Sequence, residues 1–129
     1  MEYAHNMLQI VGYFISSCIR RRNLLMQLEN MSYKDALTKL GNRFLVEKFV
    51  KRLDKNKCIG AVYCDITGLK NVNDTQGHEA GDKLILRATD CLKKIFSDYG
   101  IFRIGGDEFL VLCPEITEDD LYKKTEQLK

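Results

Sequence analysis

One proline in 129 residues, no Cys-x-x-Cys pair and almost no net charge exclude several kinds of protein at the outset. The proline is Pro114, so no proline interrupts a helix over residues 1–33. The five cysteines (Cys18, Cys58, Cys64, Cys91 and Cys113) are odd in number and lack zinc-type spacing. With no convincing secretory segment, they read as small apolar residues in a reducing cytoplasm. Charge is balanced, with 20 Lys and Arg against 18 Asp and Glu. Residues 1–34 hold Arg20, Arg21, Arg22 and Lys34 against Glu2 and Glu29, which leaves residues 35–129 with sixteen of each sign. A nucleic-acid binder needs a basic face. This portion has no net excess to build one, and no nucleic-acid partner is expected. Internal repeats and low-complexity tracts are missing too.

What remains is 45% hydrophobic, enough for the core of one domain. Residues 1–33 read as a single N-terminal helix for signalling or dimerisation. Leu8, Val11, Ile15 and Cys18 follow 3-4-3 spacing, although Arg22 falls where the next seam residue belongs. Pairing with a partner helix is the first reading. A membrane span is the second, because Arg20-Arg21-Arg22 follows the apolar residues 7–19. His5, Asn6 and Gln9 keep that run short of the roughly 20 residues a span needs. An interfacial amphipathic helix is the third. A cytoplasmic chain is expected, with a membrane tether through this region left open.

From residue 34 the texture changes. Asn42 is placed to cap a helix that carries Phe44, Leu45, Phe49 and Leu53. Cys58 to Ile66 is nearly continuous apolar sequence, the pattern of a central strand buried on both faces. Residues 67–81 read as a polar loop with room for a short helix, and Asp82 opens a helix to about Tyr99. Ile101-Phe102 and the run Phe109 to Cys113 flank Gly105-Gly106. They predict a β-hairpin whose glycines supply positive φ. Pro114 ends its second strand, and Thr117 to Asp120 reads as a capping box opening the last helix. The order predicts an α+β fold, an antiparallel or mixed sheet with helices packed on it. A ferredoxin-like sheet would add one strand after that helix.

A hairpin has no need of Asp107 and Glu108 beside its turn. Adjacent carboxylates repel, which points to a cation nearby. If the strand ending at Asp65 lies beside the hairpin, three carboxylates converge at one end of the sheet. A hard divalent cation takes carboxylates, a carbonyl and phosphate oxygens, and Lys70 could meet a phosphate as a point charge. Taken singly, each residue has an ordinary explanation. Asp65 alone is a solvated strand-end acid, Gly105-Gly106 a turn, His78 a loop-holding side chain, and Asn73 and Asp82 loop and cap residues. Their joint order is what carries weight.

Arg103-x-Gly105-Gly106-Asp107-Glu108-Phe109 resembles the signature of GGDEF-domain diguanylate cyclases. Asp65, Lys70, Asn73, Asp74, Gly77, His78, Gly81 and Asp82 match that family's upstream box. Asp35, Leu37, Thr38, Leu40, Asn42 and Arg43 match its opening motif. The likeness covers residues 35 to about 116. It implies a palm-like sheet that condenses two GTP into cyclic di-GMP in bacterial second-messenger signalling, as a homodimer with one GTP per domain. The implied cofactor is Mg²⁺, with Mn²⁺ as a substitute, held by Asp65, the Ile66 carbonyl and Asp107. Asn73 and Asp82 would read guanine with His78 supporting them, and Lys70 would touch phosphates. Gly105 and Gly106 would admit the triphosphate, and Asp107 or Glu108 would help deprotonate the attacking hydroxyl.

Three departures qualify the likeness. Thr67 replaces a second aspartate that many relatives carry. Phe96-Ser-Asp-Tyr99 replaces the Arg-x-x-Asp product-inhibition motif, so feedback binding of that type is not expected. Relatives also continue beyond the position of Lys129, so residues 34–129 read as a domain incomplete at its C-terminus. A catalytically inactive GTP-binding or dimerising module is therefore the alternative, and an upstream sensor domain is left open.

Overall fold

The computed structural model of the protein describes residues 2–129 and divides into two compact units after Ser32. Helix α1 runs Glu2–Tyr33, as a sequence without an internal proline permits. Its seam residues Leu8, Val11 and Ile15 are exposed. Among the described residues no helix is long and apolar enough to cross a membrane.

The second unit contains α2 (Arg43–Lys51), β1 (Ile59–Asp65), α3 (Leu69–Gln76) and α4 (His78–Ile95), followed by β2 (Gly100–Arg103), β3 (Glu108–Pro114) and α5 (Glu118–Glu126). Asn42 caps α2 by accepting the Leu45 amide at 3.2 Å. Thr117 caps α5 by accepting the Asp120 amide at 3.2 Å. The three strands form an antiparallel sheet in the order β1-β3-β2. The fold is α+β, as the order of elements implies.

Side-chain alternation assigns the faces. Phe109, Val111 and Cys113 of β3 point to one face and join Ile85, Leu92 and Phe96 in the main core. On the opposite face Phe102 of β2 meets Phe49 of α2 edge-to-face, with ring centroids 5.5 Å apart. The α4 residues Ile85, Thr89 and Leu92 are buried at 3.6-residue spacing. Lys124 of α5 donates to the Ile95 carbonyl at 2.8 Å, a cation on the last turn of α4.

Three sequence expectations are corrected here. Within the described sheet β1 lies at an edge, and β3 is the central strand. Only one face of β1 is covered, which leaves Ile59 and Tyr63 exposed; an apolar run does not reveal how many faces a strand buries. Residues 69–76 form a full helix, and α4 begins at His78 rather than Asp82. Gly77, at φ 88°, ends one helix and starts the next, so no side-chain cap is used and Asp82 lies inside α4. Finally, neither glycine of the hairpin has positive φ. The turn closes through the Glu108 carbonyl, which accepts the Ile104 amide at 3.0 Å. A four-residue loop does not need the primed turns that two-residue hairpins use.

Candidate functional site

β1 and β3 run side by side, so the end of one strand meets the beginning of the other. Asp65 faces Glu108 across the ladder. One residue further, the Ile66 amide donates to the Asp107 carbonyl at 2.9 Å. These backbone bonds bring Asp65, Ile66, Asp107 and Glu108 to one end of the sheet, as expected if the strand lay beside the hairpin. The Asp65 carboxyl titrates above the ordinary carboxylate range although its side chain reaches solvent. Partial loss of hydration contributes most, followed by a hydrogen bond with Asp107 and the fields of Asp107 and Glu108. Asp65 and Asp107 thus form a pair, and Glu108 is a third acid that acts on Asp65 more weakly. Among the described residues no group of three His, Cys, Asp or Glu side chains is close enough together to hold a metal ion. The pair itself suits a hard cation, being all-oxygen and mutually repulsive until neutralised.

The second cluster lies at the α3–α4 junction. Asn73 on α3 sets its side-chain oxygen against Gly81 on α4, so closely that a Cβ at Gly81 would collide with it. Asn73 thereby lies against the residue that precedes Asp82 in α4. Gly81 belonged to the matched motif without an assigned role, and this contact is its structural reason. His78 is the first residue of α4, and Lys70 is the second residue of α3; both are exposed.

The Gly-Gly turn is braced from behind. Arg103 donates through Nη1 to both carboxylate oxygens of Asp35 at 3.1 Å, and through Nη2 to the Gly106 carbonyl at 2.8 Å. Asp35 also accepts the Thr38 amide and hydroxyl, each at 2.7 Å. Burial alone would raise the Asp35 carboxyl. The Thr38 and Arg103 bonds outweigh it and hold the group below its ordinary value. Such a depressed carboxylate stabilises the fold above its unfolded pKa of about 3.9, and that contribution is lost as pH falls through the lower folded value. Asp35→Ala is therefore expected to cost about 1.5–3 kcal/mol at neutral pH, the worth of hydrogen bonds to a charged group. Urea melts should show the gap from the wild type closing below pH 3. A gap of equal size at both pH values would refute this account.

Two features of the turn were not visible in the sequence. The Tyr63 phenol donates to Glu108 Oε1 at 2.6 Å, and this raises the phenol to about 12. A Cβ at Gly105 would meet the Glu108 carboxylate where it now lies, so a side chain there would displace that carboxylate. Neither contact has a spacing signal, because each depends on how the side chains lie across the ladder.

Comparisons with known proteins bear on the family and the fold. Residues 32–129 match the family model described as the GGDEF domain of diguanylate cyclases. An uncharacterised membrane protein of Staphylococcus haemolyticus is 34% identical over 116 residues, which cover 83% of this chain and 32% of that protein. The chain thus spans about a third of this curated relative. Among solved structures, the coiled coil and GGDEF domain of DgcB from Caulobacter crescentus, in complex with c-di-GMP, superposes with a TM-score of 0.79 at 22% identity. The match covers 92% of this chain and 65% of that one. The S helix-GGDEF-EAL portion of Vibrio cholerae LapD, bound to c-di-GMP, superposes at 0.70 with 26% identity, over 84% of this chain and 28% of that one. The expectation of a cytoplasmic chain does not stand. The Staphylococcus relative is named a membrane protein, and cysteine usage and a missing signal segment say nothing about attachment through other parts of such a protein.

Proposed function

The chain belongs to the GGDEF-domain family of diguanylate cyclases, and on that premise we propose that it binds GTP with a divalent cation at the end of its sheet. Paired with a second loaded copy, it would condense two GTP into cyclic di-GMP with release of two pyrophosphates. The observation that carries this reading is the meeting of Asp65 and Asp107 at one end of the sheet, tied by the Ile66 amide to the Asp107 carbonyl at 2.9 Å, beside the Gly105-Gly106 turn. In this reading Asp65 and Asp107 hold Mg²⁺ or Mn²⁺ with help from the Ile66 carbonyl. The bound cation supplies neutralisation of the phosphate charge that builds up as pyrophosphate leaves. Lys70 contacts phosphate as a point charge. Gly105 and Gly106 let the triphosphate approach the backbone, and Asp107 or Glu108 receives the proton of the attacking 3′-hydroxyl. Asn73 and Asp82 pair with the amide edge of guanine, with His78 beside them.

Incubation with GTP and Mg²⁺, followed by chromatography for cyclic di-GMP, tests the reading. Tight GTP binding without product would mark a binding or dimerising module instead. Asp82→Ala is expected to weaken discrimination between GTP and ATP by about tenfold or more, because a site built to pair with a polar edge rejects an analogue that lacks it. Unchanged selectivity in competition binding would remove Asp82 from the guanine site.

A further inference from the structure

Glu108 is held by one side-chain hydrogen bond and lies close over Gly105. Its Oε1 accepts the Tyr63 phenol, and its Cδ lies 3.1 Å from where a Cβ on Gly105 would stand. Tyr63 pairs across the ladder with Leu110, and Asp65 with Glu108. The bond therefore runs diagonally between neighbouring pairs on one face, a separation of about 7–8 Å that a long aromatic side chain spans. An aromatic ring on a sheet ordinarily gains by burying its area. Tyr63 is 58% exposed, so its polar end makes the contact that matters.

We propose that Tyr63 is a positioning residue of this site, holding the Glu108 carboxylate in one place so that its charge stands ready beside the cation held by Asp65 and Asp107. The inference rests on the GTP-and-cation reading above. Donation from a hydroxyl into a carboxylate is short and charge-assisted, about twice as strong as a neutral bond. It also orders a glutamate side chain in advance, so that ordering need not be done when the nucleotide and cation bind. Tyr63 acts through Glu108, not on the substrate.

Tyr63→Phe deletes one exposed oxygen and leaves the ring. The full chain is titrated with Mn²⁺ at saturating GTP, with the free ion read by paramagnetic resonance. Tyr63→Phe is expected to weaken apparent Mn²⁺ affinity about three- to tenfold, the order expected for one exposed charge-assisted hydrogen bond. Glu108→Gln should weaken it as well, and the double variant should lose no more than Glu108→Gln alone. GTP affinity without cation should be unchanged in Tyr63→Phe. A Tyr63→Phe titration that falls on the wild-type curve, or losses that multiply in the double variant, overturns the proposal and leaves the GTP site standing. Wild-type Mn²⁺ binding that is indifferent to GTP overturns the site reading, and this proposal with it.

Discussion

Asp107→Ala is expected to abolish cation-dependent turnover of GTP, a loss of about a thousandfold or more if the carboxylate contributes several kcal/mol of charge stabilisation. The substitution separates chemistry from folding. What ties this residue to β1 is its carbonyl, which accepts the Ile66 amide at 2.9 Å, and alanine keeps that bond. The substitution also removes the carboxylate that, after loss of hydration, does most to raise the Asp65 carboxyl, so that group should move back toward its ordinary value. The expected result is therefore a folded chain with wild-type melting behaviour and no cyclic di-GMP. Product formation at a wild-type rate would mean that Asp107 is not a cation ligand. Where the wild type itself makes no product, Mg²⁺-dependent GTP affinity is the quantity to compare.

Phe109→Ala is expected to produce the largest loss of stability. Phe109 is 1% exposed and lies on the core face of the central strand, against Phe96, Val111, Ile85 and Leu92. Truncating a buried phenylalanine costs about 3–5 kcal/mol, a large share of the roughly 5–15 kcal/mol that holds a domain together. Thermal melts should show the transition lowered by about 10 °C or more. Phe109→Leu, which keeps most of the volume, should fall between the two. The residue also has a part in the site without touching it. Strand side chains alternate, so an inward Phe109 requires an outward Glu108. A melting temperature close to wild type would show that the core closes over the gap, and that Phe109 does not anchor the register.

The extent to which this arrangement can be read from sequence varies by residue. The meeting of Asp65 with the hairpin is legible, because an apolar run ending in an acid and a glycine-split pair of strands each announce themselves. α3 is less so: its polar face outnumbers its apolar residues, and Leu69 is its one buried side chain. The position of β1 in the sheet is misleading, since Val62 and Cys64 point inward while Ile59 and Tyr63 do not need cover to be apolar. Gly105 is conspicuous for the wrong reason, as its hydrogen atom makes room for a carboxylate rather than for a left-handed turn. Asp35 and Arg103 are matched motif residues, but nothing in their separation says that one grips the other. Long-range pairings leave no local trace.

That last pair sets an order of events in folding. The β2–β3 hairpin closes a loop of four residues, whereas Asp35 and Arg103 are 68 positions apart. With closure entropy growing as (3/2)RT ln n, the longer loop costs about 2.5 kcal/mol more to form. The hairpin is therefore expected to assemble early from neighbours, and the guanidinium clamp to set late, after the sheet has brought residue 35 alongside. What closes last with an entropic handicap opens first. Transient openings of the native domain should begin at this clamp and free the Gly105-Gly106 turn while the core strands stay paired, so amide exchange at Gly105 should outpace exchange at Val111.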